Sequence, residues 1–272
     1  RPKLLNDRYQ LQEVLGEGPA GIVYKAHDPY LDRAVAVKIL HSHLTRDKAA
    51  ISALKEEARI AMRISHDHIV HLHNIEKTGD SCFLVMEYMK GNSLRSLLGV
   101  YGYLRLESVV QILSGCDAAL SHAHRHGVLH NDLKPENIML TEEGVLKIMD
   151  FGISCLVSVR HGEDITGNPA YMSPEQIRGE PLDARADVYS MGVILYELLV
   201  GRTPFPAGAT CADVLSRLPA RLHGAPEQIQ PYLEKALAPL REDRWSSMRE
   251  FSEAFAFAAG PLIADEATSG PA

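Results

Sequence analysis

The run His130-Asn131-Asp132-Leu133-Lys134-Pro135-Glu136-Asn137 places an acid, a lysine two residues on and an amide five residues on. A second acid follows in Asp150-Phe151-Gly152, beyond a short apolar strand. A carboxylate can accept or orient a hydroxyl proton, an ammonium can neutralise phosphate charge, and an amide oxygen with a further carboxylate offers the hard ligands that Mg²⁺ takes. These are the parts needed to move a nucleotide's γ-phosphate onto a protein hydroxyl.

A second set lies near the start of the chain. Gly16-Glu17-Gly18-Pro19-Ala20-Gly21-Ile22-Val23 has glycines at its first, third and sixth positions. Without a Cβ they let a hairpin backbone approach phosphate oxygens, and Val23 can cover a base. The spacing alone equally describes a plain glycine hairpin. A dinucleotide fold needs a helix after the glycines, whereas Ile22-Val23-Tyr24-Lys25 reads as a strand. Pro19 removes one backbone donor at the tip and predicts a stiffer loop.

Lys38 sits in the apolar strand Ala34-Val35-Ala36-Val37-Lys38-Ile39-Leu40. A buried ammonium needs an anion, and a ligand phosphate or a carboxylate would serve; the alternative is an edge lysine reaching water. The next helix offers Glu56 and Glu57, and at about 100° per residue only one can face inward. Glu57 shares a side with Leu54, Ala58 and Ala61, which predicts that Glu56 is solvated.

The elements that must carry these groups change character near residue 90. Tyr9–Glu17, Gly21–His27 and Arg33–Leu40 are short alternating or β-branched runs separated by turn residues, predicting antiparallel strands. Asp47–Ile64 has helical spacing, and Val70–Glu76 and Cys82–Glu87 are again strand-like. After the turn Lys90-Gly91-Asn92-Ser93, helical patterns dominate at Glu107–His126, Asp183–Val200, Pro226–Ala236 and Ser246–Ala258. The expectation is a strand-rich lobe with one long helix, a short hinge and a helical lobe. Past Gly260 the periodicity ends, predicting an unfolded tail over 261–272.

Composition narrows the classes. The 272 residues are 46% apolar and 23% charged, ordinary globular material for one large domain or two packed lobes. A net charge of -7 with scattered Lys and Arg argues against nucleic acid as a partner. Cys82, Cys116, Cys155 and Cys211 form no Cys-x-x-Cys pair and suit reduced thiols packed in a cytoplasmic protein. Val188–Val200, the most apolar stretch, is too short to span a bilayer, and no signal peptide opens the chain. Because the chain starts at Arg1, a longer parent protein is expected, and a membrane anchor could lie outside the sequence given. Thirteen histidines raise the question of a metal, but His66, His68, His71 and His73 fall on a strand-like run. His122, His124 and His126 splay around a helix, so neither group makes a tetrahedral set.

In this order and at these separations, the residues resemble the eukaryotic-like Ser/Thr protein kinase family in its bacterial form, over roughly Tyr9 to Phe257. The resemblance rests on the glycine loop, Ala36-x-Lys38, Glu57 nine residues before His66, Met86-Glu87-Tyr88-Met89, the His-Asn-Asp run and Asp-Phe-Gly. Ser173-Pro174-Glu175, Asp187-Val188-Tyr189-Ser190-Met191-Gly192 and Arg244 extend it. It implies an α+β, two-lobed kinase domain over 9–260, with an N-lobe of about 9–87, a hinge at 87–92 and a C-lobe of about 93–260. Lys38, held by Glu57, would bind the α- and β-phosphates of ATP under a loop of Leu15, Gly16, Glu17, Gly18 and Gly21. Asp132 would take or orient the hydroxyl proton, Lys134 would neutralise the γ-phosphate, and Asn137 with Asp150 would hold Mg²⁺ or Mn²⁺. Met86 would be the gatekeeper, and the backbone at Glu87 and Met89 would pair with adenine. Val23, Ala36 and Met139 would sandwich the ring, although core packing alone accounts for those three nearly as well. The family also commonly has histidine where His66 and His124 stand.

Lys134 points to Ser or Thr acceptors, since tyrosine kinases of this family usually lack that lysine. Glu175 with Arg244 matches a structural ion pair, and Asp187 matches an acid that holds the catalytic-loop backbone; His130 is expected to pack there and not to act as a base. Three departures stand out. Asn131 replaces an arginine that can clamp a phosphorylated loop, Asn168 stands where threonine usually bridges base and lysine, and Pro19 caps the glycine loop. The partners implied are proteins bearing Ser or Thr. The competing readings are a nucleotide-binding pseudokinase scaffold and, further off, a small-molecule phosphotransferase.

Overall fold

Val35, Ala36, Val37 and Leu40 are all buried, although successive side chains of a strand point to opposite faces. Their strand is therefore covered on both sides. The computed structural model describes residues 4–42, 44–45, 48–79, 81–151, 168–216 and 222–269. These residues fall into two units, one reaching to Lys90 and including Asp150 and Phe151, the other formed by the rest.

In the first unit, β1 (Leu4–Leu5), β2 (Tyr9–Gly18), β3 (Gly21–Asp28), β4 (Arg33–Leu40), β5 (Leu72–Thr78) and β6 (Ser81–Glu87) form one antiparallel sheet in the order β1-β2-β3-β4-β6-β5. Helix α1 (Lys48–Ala61) covers one face, where Leu54, Ala58 and Ala61 pack with Ala36, Leu40, Leu84 and Met86. On the opposite face Tyr9, Ala26, Val35, Val37, Phe83 and Val85 form a second core. Period-two alternation puts Lys38 on the α1 face with Ala36 and Leu40. The register sets Val23 opposite Lys38 and Met86 opposite Ala36, so all four share one patch.

In the second unit, β7 (Gly91–Ser93), β8 (Ile138–Thr141) and β9 (Leu146–Ile148) form a small sheet beside α2 (Leu94–Tyr101) and α3 (Leu106–Arg125). Then come α4 (Pro174–Ile177), α5 (Ala184–Val200), α6 (Cys211–Ser216), α7 (Gln230–Ala236) and α8 (Met248–Ser269). Every residue of α5 from Ala186 to Leu198 is buried, so this helix is surrounded. A Cβ on its Gly192 would meet Ala236 Cβ of α7 at 2.9 Å, and glycine allows that close approach. Asp183 caps its start by accepting from Arg185 N–H, and Gly201 ends it in the left-handed conformation at φ 81°.

The expected strands and long helices occur within about three residues of their predicted bounds, with two corrections. The helix predicted from Pro226 begins at Gln230, because Pro226–Ile229 form a separate turn and Pro231 is tolerated only in the first turn of a helix. The tail predicted to be unfolded from Gly260 is instead helical to Ser269. Pro261 sits on the exposed side, where water can take the carbonyl it leaves unbonded, and Leu262 and Ile263 are half-buried. Glu266 also reaches Arg105 at 3.9 Å. Helix α2 escaped prediction because Ser93, read as part of a turn, is its cap, accepting from Ser96 N–H at 3.1 Å.

Candidate active site

The first unit assembles the residues expected to meet a nucleotide. Lys38, only 8% exposed, donates to Asp150 Oδ2 at 2.8 Å. The expected carboxylate partner, Glu57, lies on α1, but its side chain falls outside the described residues. Val23 and Ala36 flank Lys38, and Met86, 7% exposed, borders a small cavity that also meets Ala61, Asp150 and Phe151. Glu87 ends β6 with its N–H donating to His71 O, and Met89 follows, half-buried.

Leu15, Gly16, Glu17 and Gly18 lie exposed along the end of β2. A Cβ at Gly16 or Gly18 would meet nothing within 4 Å among the described residues, so their packing does not require these two glycines. Gly21 differs: at φ 155°, a Cβ there would lie 2.1 Å from Ile39 O, so the hairpin itself demands it. His41 braces the Pro19-Ala20 tip, its N–H donating to Ala20 O at 3.1 Å and its Nε2 lying 3.0 Å from Gly18 O.

The second unit carries the catalytic-loop candidates. Lys134 Nζ donates to Asp132 Oδ2 at 2.7 Å, and Asn137 Nδ2 donates to Asp132 O at 2.8 Å and to its Oδ2 at 3.2 Å. Asn137 thus spends its nitrogen on Asp132, which leaves Oδ1 as the end suited to a cation. Met139 follows on β8, half-buried.

The loop is held from beneath by Asp187 of α5, which accepts from His130 N–H at 2.9 Å and Asn131 N–H at 3.0 Å. His124 Nε2 approaches the same carboxylate at 2.7 Å. Burial alone pushes Asp187 up, but the hydrogen bonds from His124 and from the His130 backbone outweigh it, holding the carboxyl below its ordinary value. His130 Nδ1 accepts from Asp132 N–H, so its proton sits on Nε2, which donates to Met149 O at 2.7 Å. This geometry gives His130 the supporting place expected of it.

Of the departures, Asn131 adopts the left-handed conformation at φ 63°, and its buried Oδ1 has no hydrogen-bond partner among the described residues. Its carbonyl accepts from Gln176 Nε2 at 2.7 Å. Asn168 Oδ1 accepts from Ala170 N–H, so that oxygen caps the following turn. Lower down, Arg244 grips Glu175 with two bonds of 2.6 and 2.8 Å, both residues buried. Burial raises Glu175, and the guanidinium prevails, leaving it below its ordinary value. Arg95 and Glu197, which converge with Tyr171 and with Glu136 of this loop, lie outside every motif read from the sequence.

Comparison with known proteins places the chain in a family. A protein kinase domain family matches residues 9–252. The chain is 35% identical to the probable serine/threonine-protein kinase PknB of Bifidobacterium longum, covering 91% of this chain and 39% of that protein. It is 33% identical to the serine/threonine-protein kinase PrkC of Bacillus subtilis, covering 87% of this chain and 38% of that one. It thus spans about two fifths of the length of these curated relatives. The crystal structure of the Mycobacterium tuberculosis PknI kinase domain superposes with a TM-score of 0.78 at 27% identity, covering 93% of this chain and 96% of that one. No helix among the described residues is long and apolar enough to cross a membrane.

Proposed function

From the premise that the chain belongs to the bacterial, eukaryotic-like serine/threonine protein kinase family, with its two-lobed fold and its use of ATP and a divalent metal, we propose that it phosphorylates Ser and Thr hydroxyls of cytoplasmic proteins. The observation that carries this reading is the Asp132–Lys134–Asn137 cluster on a loop pinned by Asp187. Asp132 would orient the acceptor hydroxyl and take its proton as the oxygen bonds to the γ-phosphorus and the bond to the β-phosphate oxygen breaks, releasing ADP. Lys134, already beside Asp132, would meet the charge of the transferring group. Lys38 would turn from Asp150 toward the α- and β-phosphates, with Glu57 as its carboxylate on α1.

Three observations fit the nucleotide and its metal. Gly16 and Gly18 leave open space, the Val23–Ala36–Met86 patch is apolar, and Asn137 Oδ1 and the Asp150 carboxylate are hard oxygen donors of the kind Mg²⁺ or Mn²⁺ takes. Bound there, the ion would neutralise phosphate charge. The domain so defined runs over 9–260. Incubation with γ-labelled ATP and a generic protein acceptor should label the acceptor, and Asp132→Asn should abolish that labelling. Asn131 and the use of Asn168 as a turn cap favour a second reading, a nucleotide-binding scaffold without activity. Nucleotide binding with no transfer would select it.

A further inference from the structure

Gln176 enters none of the chemistry above, yet its side-chain amide is engaged at both ends. Oε1 accepts from Ser173 N–H at 3.0 Å, and Nε2 donates to Asn131 O at 2.7 Å. One partner is a donor and the other an acceptor, which fixes the orientation of the amide. Ser173 Oγ accepts in return from Gln176 N–H at 3.4 Å, so the oxygen end completes the reciprocal cap of α4. The nitrogen end has no place in that cap. It crosses to a residue 45 positions earlier in the chain.

Asn131 O belongs to the peptide that joins Asn131 to Asp132. The N–H of the same peptide donates to His130 Nδ1 at 3.2 Å, so Gln176 and His130 engage its two polar groups and set its plane. Asn131 needs such a hold, because its left-handed conformation at φ 63° is disfavoured for a residue with a Cβ. A rotation of that plane would carry the Asp132 carboxylate with it. The anchor is itself fixed: Glu175, the residue before Gln176, is buried in its pair with Arg244. Asp187 fixes the preceding N–H groups of His130 and Asn131.

We propose that Gln176 is a positioning residue for the transfer, holding through the Asn131–Asp132 peptide the carboxylate that receives the acceptor's proton. This rests on the protein-kinase reading of Asp132. Without the Nε2 bond the peptide samples several orientations, and fewer molecules present Asp132 in the reactive one. The loss therefore falls on kcat, and the KM for ATP, set by other residues, stays where it was.

Three variants separate this hold from the cap. Gln176→Glu keeps an oxygen for Ser173 N–H and suits that cap, but its second oxygen meets Asn131 O with no hydrogen to share. Gln176→Met adds no charge, keeps the volume and loses both bonds. Ser173→Ala weakens the cap, while its backbone N–H still donates to Gln176 Oε1 and the Nε2 bond is untouched. In acceptor phosphorylation kcat should fall about tenfold or more in both Gln176 variants and by less than about threefold in Ser173→Ala, with the KM for ATP within about threefold throughout. Melting temperature should sort them differently, staying at the wild-type value in Gln176→Glu and dropping by about 2–4 °C in the other two. A kcat that follows melting temperature across the three would reduce Gln176 to a cap and overturn the proposal. If Gln176→Glu does not fold, Gln176→Met against Ser173→Ala decides, since both weaken the cap and only one loses the hold. Amide hydrogen exchange over residues 130–134 should quicken about tenfold in the Gln176 variants and not in Ser173→Ala, and unchanged exchange would equally overturn the proposal. A wild type that labels no acceptor refutes the kinase reading instead, and the exchange measurement, which needs no catalysis, then decides the hold by itself.

Discussion

A lysine inside a strand of valines and alanines persists only beside an anion, and for Lys38 that anion is Asp150. Both are ionic groups that a nucleotide and its metal would claim, so their pairing keeps each charge compensated until the ligands arrive. Replacing Lys38 by methionine retains the stem volume and deletes the charge. Acceptor labelling by Lys38→Met should fall by about a hundredfold or more, the size expected for losing one preorganised electrostatic contact. Asp150, with its side chain 22% exposed, can turn to water. The melting temperature should therefore move by no more than about 5 °C in a thermal scan. Labelling at the wild-type rate would mean that the phosphates bind elsewhere.

Helix α5 does more than fill the C-terminal unit, because its first turn supplies Asp187 to the loop and its last supplies Glu197 to Arg95. Its position therefore fixes the loop from two ends. Gly192, midway between them, is where α7 comes closest, with room for no side chain beyond hydrogen. Gly192→Val forces the two helices apart and should destabilise the protein by about 1–3 kcal/mol, read from urea unfolding. The displacement should also lower acceptor labelling at temperatures where the variant remains folded. Unchanged stability would show that the α5–α7 contact is looser than the 2.9 Å approach indicates.

Glu175 and Arg244 are 69 residues apart in sequence and almost wholly buried, so neither can rely on water. Glu175→Gln should cost about 3–5 kcal/mol at neutral pH, since Arg244 is left uncompensated. The folded-state pKa values of Glu175 and Asp187 lie below their unfolded values. Their stabilisation is present above the unfolded values, about 4, and is lost as pH falls through the folded ones. Wild-type stability should therefore decline below about pH 4, and its advantage over Glu175→Gln should narrow there as Glu175 itself takes a proton. A gap that stays constant to pH 3 would contradict the buried pair.

Asn131 cannot supply the charge that would bind a phosphorylated loop. The segment from Asp150 to Glu175 offers Ser154, Ser158 and Thr166, which fall outside the described residues, as phosphoacceptors. Phosphatase treatment, and separately Ser154→Ala/Ser158→Ala/Thr166→Ala, should change labelling of an exogenous acceptor only modestly. A loss of about a hundredfold in both preparations would reveal a clamp that does not use this position.

The reactive groups of the C-terminal unit were legible because the reaction imposes short, fixed separations on one loop: Asp132, Lys134 and Asn137 lie within six consecutive residues. Most strands and long helices were legible too, since burial on one face or two leaves a period in the chain. Pairings across long separations leave no such trace. Lys38 with Asp150 spans 112 residues and Arg95 with Glu197 spans 102, and nothing local to either partner announces the other. The same holds for the order past Gly260, where half-buried Leu262 and Ile263 and the contact of Glu266 with Arg105 accompany a helix that periodicity does not show. Gly21 and Gly16 look alike as letters, and only the backbone of β4 passing 2.1 Å from a missing Cβ separates the glycine the fold requires from the one it leaves free.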